Sequence, residues 1–149
     1  MVFLDRLATK ERLNRMGIII DCHCIFCGAV LETRNHLFFD CSVAASLWSG
    51  VYLLNGLRFR HPSWDALFAW VAASWKGKSL LTSIIKIASN ALIYTIWQER
   101  NKRLFQGRSS TVEEMFYAIK EIVGLHLMDR PINRIDNVNI ILCNKWGIV

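Results

Sequence analysis

Four metal-binding side chains lie close together near the start of the chain, in the pattern C-x2-C-x8-H-x4-C. The pattern consists of Cys24, Cys27, His36 and Cys41. A C-x2-C pair can bring two thiolates to one tetrahedral ion, and three thiolates with one imidazole complete the coordination shell of zinc. No position then remains for an activated water. The pattern therefore predicts a structural zinc ion rather than a catalytic one.

Neighbouring residues leave the ligand assignment open on one side. Cys22 and His23 come directly before Cys24, so either could replace a neighbouring ligand. We favour Cys24 because Cys22 would leave a four-residue gap to Cys27. A redox pair or a nucleophilic cysteine is disfavoured, since no thioredoxin-like strand–helix unit and no orienting third residue are evident. The fifth cysteine, Cys143, lies in an apolar run and is predicted to be a core residue.

The N-terminal sequence contains charged residues from Asp5 onward and lacks the apolar segment of a secretory signal. We therefore expect an intracellular location, nuclear or cytoplasmic. In such a reducing compartment, clustered cysteines bind metal more often than they form disulfides.

The rest of the chain has the apolar spacing of amphipathic helices. The sequence therefore predicts a mainly α fold, in which a small N-terminal Cys3His zinc-binding module precedes a region of three to four helices. The sequence predicts N-caps at Thr9, Ser42 and Ser63, helix ends at Gly17 and Gly107, and a capping box that begins at Thr111. The helix after Ser63 has an apolar stripe of Trp64, Leu67, Phe68, Val71 and Trp75. A long helix is predicted from about Leu80 to Gln106, with Ile84, Ala88, Ala91, Leu92 and Thr95 on one face.

Two apolar segments need separate interpretation. Residues 79–97 approach the length of a membrane span, but Lys86 and Asn90 lie inside the segment. A buried amphipathic helix is the better prediction, and we expect no membrane contact. The segment Val138–Cys143 is compatible with a short strand or a further helical turn.

We divide the chain into a zinc-binding domain over residues 4–58, a helical extension over 62–130 and a C-terminal tail over 131–149. The net charge is +6, and the excess is concentrated in residues 61–108, which hold seven Lys or Arg against two Asp or Glu. Candidate phosphate-contacting residues in this part are Arg100, Lys102, Arg103 and Arg108. The alternative is that they form the solvated face and C-terminal charge of a long helix.

Several further residues accompany the zinc pattern at fixed spacing. They are Leu7–Leu13 (LATKERL), Gly17, Gly28, Glu32, Thr33, His36–Cys41 (HLFFDC) and Trp48, followed more weakly by Ile96–Asn101 (IWQERN) and Phe105. With these residues, the N-terminal third resembles the zinc-binding domain that follows the reverse transcriptase of plant LINE-type (non-LTR) retrotransposons. The later residues are similar to a W-x2-R-N-x3-F segment common in the same reading frames.

The resemblance implies zinc binding by the four residues of the pattern, and descent from an element that encodes polymerase and endonuclease activities. We expect a detached C-terminal fragment of such an element. The sequence has no Asp-Asp pair of the kind that holds two metal ions in a polymerase palm, and no ribonuclease H segment follows. We therefore expect no enzymatic activity.

Two functions remain open at this stage. The first is a zinc-binding module that assists nucleic-acid binding, with RNA or DNA bound through the basic segment. The second is a zinc-stabilised structural or protein-interaction domain that binds no nucleic acid and docks on a polymerase-bearing chain or another partner.

Overall fold

The computed structural model describes residues 7–18, 21–57, 63–74, 77 and 79–148. Within these ranges the chain is mainly helical, and its only β pairing is an isolated antiparallel bridge between His23 and Leu31. The helices are α1 (Lys10–Arg15), a π-helical turn (His36–Asp40), α2 (Ser42–Leu54), α3 (Trp64–Ser74), α4 (Leu80–Gln106), α5 (Val112–Leu127) and α6 (Asn137–Trp146). This confirms the mainly α fold with an N-terminal Cys3His cluster.

Side-chain caps begin the helices where the sequence predicts them. Thr9 accepts a hydrogen bond from the Arg12 amide, and Thr111 accepts one from the Glu114 amide. Gly107 ends α4 with a φ of 63°, a left-handed conformation that costs glycine little. One prediction was wrong: the N-cap of α2 is Cys41 rather than Ser42, so a metal-binding residue occupies the position where the helix begins.

One hydrophobic core joins the N-terminal module to the helices that follow it. Its buried residues come from the π-helical turn and from α2, α3, α4, α5 and α6. The long helix α4 contributes the fully buried Ile84, Ala88, Leu92 and Ile96 to this core. Of the stripe predicted for α4, Ile84, Ala88, Ala91 and Leu92 are buried and Thr95 is half-buried.

By length and apolar content alone, α4 could cross a membrane, a property that core helices of soluble proteins share. Its buried stripe packs in the common core, and Glu99 and Arg100 are buried near its C-terminal end. These contacts favour the buried helix that the sequence predicts.

Parts of two sequence predictions lie outside the described residues. In α3, Trp64 and Leu67 are buried as predicted. The side chains of Phe68, Val71 and Trp75 are not described. Residue 4, where the predicted zinc-binding domain begins, and residues 58–62, where it meets the predicted helical extension, also lie outside the described residues.

The segment assigned to a C-terminal tail forms helix α6 and packs into the core. The side chains of Leu142, Cys143 and Trp146 are buried, which confirms Cys143 as a core residue. The Trp146 indole Nε1 donates a hydrogen bond of 3.0 Å to Asn55 Oδ1 at the end of α2. The C-terminal helix is thus tied to the helix that begins at the metal-binding cluster.

We predict that Trp146→Ala destabilises the whole chain, because it removes a fully buried indole and leaves Asn55 without its hydrogen-bond donor. The expected loss in the free energy of unfolding is about 3–5 kcal/mol, measured by urea denaturation. Ile135→Ala is the control, since Ile135 is 90% exposed. Equal stability of the two variants would show that α6 does not contribute to the core.

Candidate metal centre

The first two cysteines of the cluster lie on a tight hairpin turn. The Cys24 amide donates to the Val30 carbonyl at 2.8 Å, and the His23–Leu31 bridge closes the hairpin one residue further out. At the tip, the Gly28 amide donates to the Cys24 carbonyl at 2.8 Å. Gly28 has a φ of +67°, which a residue with a side chain rarely adopts. The hairpin therefore turns the Cys24 and Cys27 side chains toward one point.

The other two candidate ligands lie at the two ends of the π-helical turn. The Cys41 amide donates to the His36 carbonyl at 2.8 Å, a bond that spans five residues. The His36 amide in turn donates to Thr33 Oγ1 at 3.0 Å, which fixes the start of the turn. A π-helical turn is wider than an α-helical one, and such turns occur often at functional sites. Here the turn places both ligands beside the hairpin.

The four ligand atoms form a compact cluster in which every pair lies within 4.8 Å. The Sγ atoms of Cys24 and Cys41 are 3.9 Å apart, and Cys27 Sγ lies 3.3 Å from His36 Nε2. Tetrahedral zinc with its usual bond lengths needs ligand atoms about 3.5–3.8 Å apart. The donor set and its spacing fit a closed Cys3His site, and the cofactor that such a site implies is zinc.

The contact between Cys24 and Cys41 shifts the pKa values of the two thiols in opposite directions. The hydrogen bond from Cys24 lowers the pKa of Cys41 to about 7. The same contact, together with burial, raises the pKa of Cys24. Zinc binds thiolates, so metal binding must release the Cys24 proton, and the affinity for zinc falls as the pH falls.

The two residues that could have replaced a ligand point to other partners. The Cys22 sulfur accepts a hydrogen bond of 3.4 Å from Asn14 Nδ2 in α1. The His23 ring lies 3.1 Å from the carboxylate of Asp21. Neither belongs to the cluster that the structure brings together, so the preference for Cys24 as the ligand holds.

Aromatic packing joins the metal-binding turn to the helical core. Phe39 stacks on Trp48 of α2 with ring centroids 5.5 Å apart, and its other contact is the edge of Trp64 in α3 at 4.8 Å. The Trp48 indole also donates a buried hydrogen bond of 2.7 Å to the Phe38 carbonyl. The chain between His36 and Cys41 is therefore held in the core even as its two ends bind the metal.

A buried ion pair connects the hairpin to α4 across 68 positions of sequence. Glu32, fully buried, accepts hydrogen bonds on Oε1 from Arg100 Nη2 at 2.9 Å and Arg100 Nε at 3.2 Å. The same oxygen accepts the Lys10 amide at 2.9 Å. Arg100 also donates to the Ala8 carbonyl, and its guanidinium lies 4.7 Å from the centroid of the Trp97 ring. Glu32 thus holds α1, the hairpin and α4 together.

This pair overturns the prediction that Arg100 contacts phosphate. Its side chain is only 2% exposed, and its charge is neutralised by Glu32. No direct signal in the sequence indicates this role, because charged residues on a helix are usually solvated. An indirect sign of burial is the presence of Trp97 and Asn101 near Arg100 in the sequence. The Arg100 guanidinium lies over the Trp97 ring and donates a hydrogen bond to Asn101.

Two further candidate cations pair with Glu99 in the last turns of α4, next to the turn between α4 and α5. Arg103 Nε lies 2.9 Å from Glu99 Oε1 and Lys102 Nζ lies 3.0 Å from Glu99 Oε2. Burial opposes the charge of Glu99, but the hydrogen bonds from the Ser110 amide and from Arg103, with the charge of Lys102, lower its pKa below the ordinary value. Arg108 is exposed in the same turn.

Residues 1–48 match a family of domains described as zinc-binding in reverse transcriptase. The match contains all four ligands and the hairpin residue Glu32, and α3 to α6 lie beyond it. No curated protein and no solved structure matches the chain. The match confirms, for residues 1–48, the similarity to the zinc-binding domain of reverse transcriptases, while the LINE-type and plant assignments stay predictions.

We predict that Cys27→Ser loses zinc, because it removes one of three thiolates from a closed site. Metal analysis paired with native mass spectrometry measures the zinc content of the purified chain. Cys22→Ser is the matched control and should keep its zinc, since Cys22 lies outside the cluster. The ligand assignment is wrong if Cys22→Ser loses the metal and Cys27→Ser retains it with an unchanged melting profile.

We predict that Arg100→Met costs about 3–5 kcal/mol in the free energy of unfolding, because it leaves a buried carboxylate without its counter-ion. Chemical denaturation measures the loss, and the exposed Arg108→Met should change stability by no more than about 0.5 kcal/mol. Adding Glu32→Gln to Arg100→Met should recover part of the loss. An Arg100→Met chain as stable as Arg108→Met would show that the pair does not hold the fold.

Proposed function

We propose that this chain is a non-catalytic module in which zinc holds the fold and the folded surface binds nucleic acid. The closed Cys3His donor set supports a structural, non-catalytic role for zinc. All four tetrahedral positions are taken by protein atoms, so none is left for an activated water. Zinc binding supplies folding free energy to the hairpin and the π-helical turn that carry its four ligands.

The nucleic-acid part rests on two observations. Residues 1–48 match domains that bind zinc in reverse transcriptases, which are enzymes that handle RNA and DNA. The chain also carries a net charge of +6, which favours polyanionic partners. We propose an intracellular location, nuclear or cytoplasmic, where RNA and DNA are accessible.

The basic segment at the end of α4 is a poor candidate for the binding surface. Arg100 is buried against Glu32, and Lys102 and Arg103 share the carboxylate of Glu99. Cations already paired with carboxylates release fewer counterions when they meet phosphate. We therefore place the interface on the N-terminal module instead, with at most a contribution from the exposed Arg108.

A second candidate function is protein interaction through α5. Tyr117 and Leu125 on this helix and Met128 at its C-cap are more than half exposed and line one cavity, and grouped apolar surface of this kind is typical of interaction sites. Gly124 lies among them, and a Cβ placed there would meet no atom within 4 Å. The fold itself therefore does not require glycine at this position. A partner surface, on a polymerase-bearing chain or another protein, is the alternative use of this face.

We predict that the zinc-loaded chain binds single-stranded RNA or DNA oligonucleotides with an affinity that falls steeply as salt rises. Fluorescence anisotropy across a salt series measures the slope of log K against log salt, which is about −0.7 for each phosphate contact with a single strand. Chelation of zinc should abolish binding, because the module then unfolds.

Two outcomes would contradict the nucleic-acid proposal. One is the absence of oligonucleotide binding at low salt by a folded, zinc-loaded chain. The other is binding that chelation leaves unchanged. If the same chain self-associates in a salt-insensitive manner in sedimentation experiments, and Leu125→Glu prevents it, the protein-interaction function is favoured.

A further inference from the structure

A polar cavity of about 300 Å³ lies between α1 and the chain that leads from the hairpin into the π-helical turn. Its wall brings together residues that are distant in sequence but share hydrogen-bonding side chains: Thr9, Arg12, Arg15, Thr33, Arg34 and Asn35. Three guanidinium-bearing side chains therefore line one small cavity. Glu11 is the acidic residue in the wall, and its carboxylate is paired with Arg15 at 2.7 Å.

Three other cavities in the described part of the chain lack this excess of positive charge. One lies between α4 and α5, one between α4 and the segment that leads into α6, and one between α5 and the end of α6. Their charged lining residues offset one another: Lys102 with Glu99 and Glu114, Arg130 with Asp136, and Lys120 with Glu121. The positive charge is thus a property of the cavity beside the zinc module.

We infer that this cavity binds a phosphate group. We identify this phosphate as a phosphodiester of a nucleic-acid backbone, and this identification rests on the proposed function. Guanidinium groups bind phosphate through paired, charge-assisted hydrogen bonds, and arginine suits this geometry better than lysine. Thr33 Oγ1 accepts the His36 amide, so its hydroxyl proton can be donated to a phosphate oxygen.

The guanidinium of Arg34 contacts an aromatic ring of the core. It lies 5.1 Å from the centroid of the Trp64 ring in α3. A cation held over an aromatic face loses less conformational freedom when it binds an anion. The cavity wall therefore includes a guanidinium that is positioned by an aromatic side chain of the core.

The zinc ion and Glu32 together hold the two walls of the cavity. Thr33, Arg34 and Asn35 directly precede the ligand His36, so the metal fixes the end of that wall. The opposite wall is α1, which Glu32 binds through the amide of Lys10, and the Glu32 carbonyl accepts the Glu11 amide at 3.2 Å. Phosphate binding should therefore require zinc even though no ligand of the metal contacts the phosphate.

Two sets of variants test the cavity. Arg12→Gln with Arg34→Gln removes two guanidinium groups, and we expect about a tenfold weaker affinity for each guanidinium removed with a salt slope smaller by about 1.4. Arg130→Gln with Arg134→Gln is the charge-matched control, because these exposed residues do not line the cavity. The control should retain the wild-type slope.

A second variant tests the cavity without removing an arginine, in case the double arginine variant does not fold. Asn35→Asp adds a negative charge at an exposed position of the wall, and Asn35 makes no side-chain cap hydrogen bond. It should keep zinc and weaken phosphate binding. Asn144→Asp, exposed on α6, makes the same charge change away from the cavity and should leave binding unchanged.

Inorganic phosphate is the direct probe of the site, followed by NMR of the full zinc-loaded chain. Shifts confined to the amides of residues 9–15 and 33–35, and absent in Asn35→Asp, support the cavity. If oligonucleotides bind with the same dependence, the phosphate belongs to nucleic acid. If phosphate binds and oligonucleotides do not, the cavity stands and the proposed function fails.

A different set of results would overturn the phosphate-binding cavity without contradicting the proposed function. Oligonucleotide binding that is unaffected by Arg12→Gln with Arg34→Gln, but weakened by Arg130→Gln with Arg134→Gln, places the nucleic acid elsewhere and leaves the proposed function intact. Absence of both phosphate shifts and oligonucleotide binding overturns both.

Discussion

The carboxylate of Glu32 is the contact on which the arrangement of the N-terminal half depends. A buried carboxylate is costly to remove from water, so it must be compensated by a cation and by hydrogen bonds. Arg100 supplies the charge and the Lys10 amide supplies a further donor, all on Oε1. Glu32 Oε2 has no hydrogen-bond partner among the described residues. The interaction therefore tolerates little rearrangement, and it fixes α1 and α4 relative to the hairpin that carries the metal ligands.

Zinc and the ion pair perform different tasks in this fold. The metal closes a local loop, because its four ligands lie within 18 residues of one another in sequence, from Cys24 to Cys41. The ion pair is non-local, because it joins that loop to Arg100 of α4, which lies 68 positions after Glu32 in the sequence. Between them, Phe38 and Phe39 carry the metal-binding turn into the core. The zinc centre is thus part of the tertiary structure and not an appendage to a helical bundle.

Local signals made much of this structure predictable. Cysteine spacing identified the ligands, and Thr9, Thr111 and Gly107 marked helix ends through short-range hydrogen bonds and backbone conformation. The role of Arg100 could not be predicted in the same way, since burial of a charge depends on a partner 68 positions away. Helix α6 was ambiguous for a related reason. Its apolar run is too short for the spacing of apolar residues to distinguish a strand from a helix. The helix is stabilised by tertiary packing, which includes the hydrogen bond from Trp146 to Asn55.

The separation in sequence between the metal ligands and Arg100 has a consequence for the order of events during translation. All four ligands leave the ribosome before Arg100 does, so zinc can bind while the chain is still growing. At that stage Glu32 lacks its counter-ion, so its carboxylate remains solvated. It becomes buried only when Arg100 arrives, and the desolvation step therefore coincides with the docking of the long helix. Metal capture and core formation are in this way separated in time by the position of a single arginine.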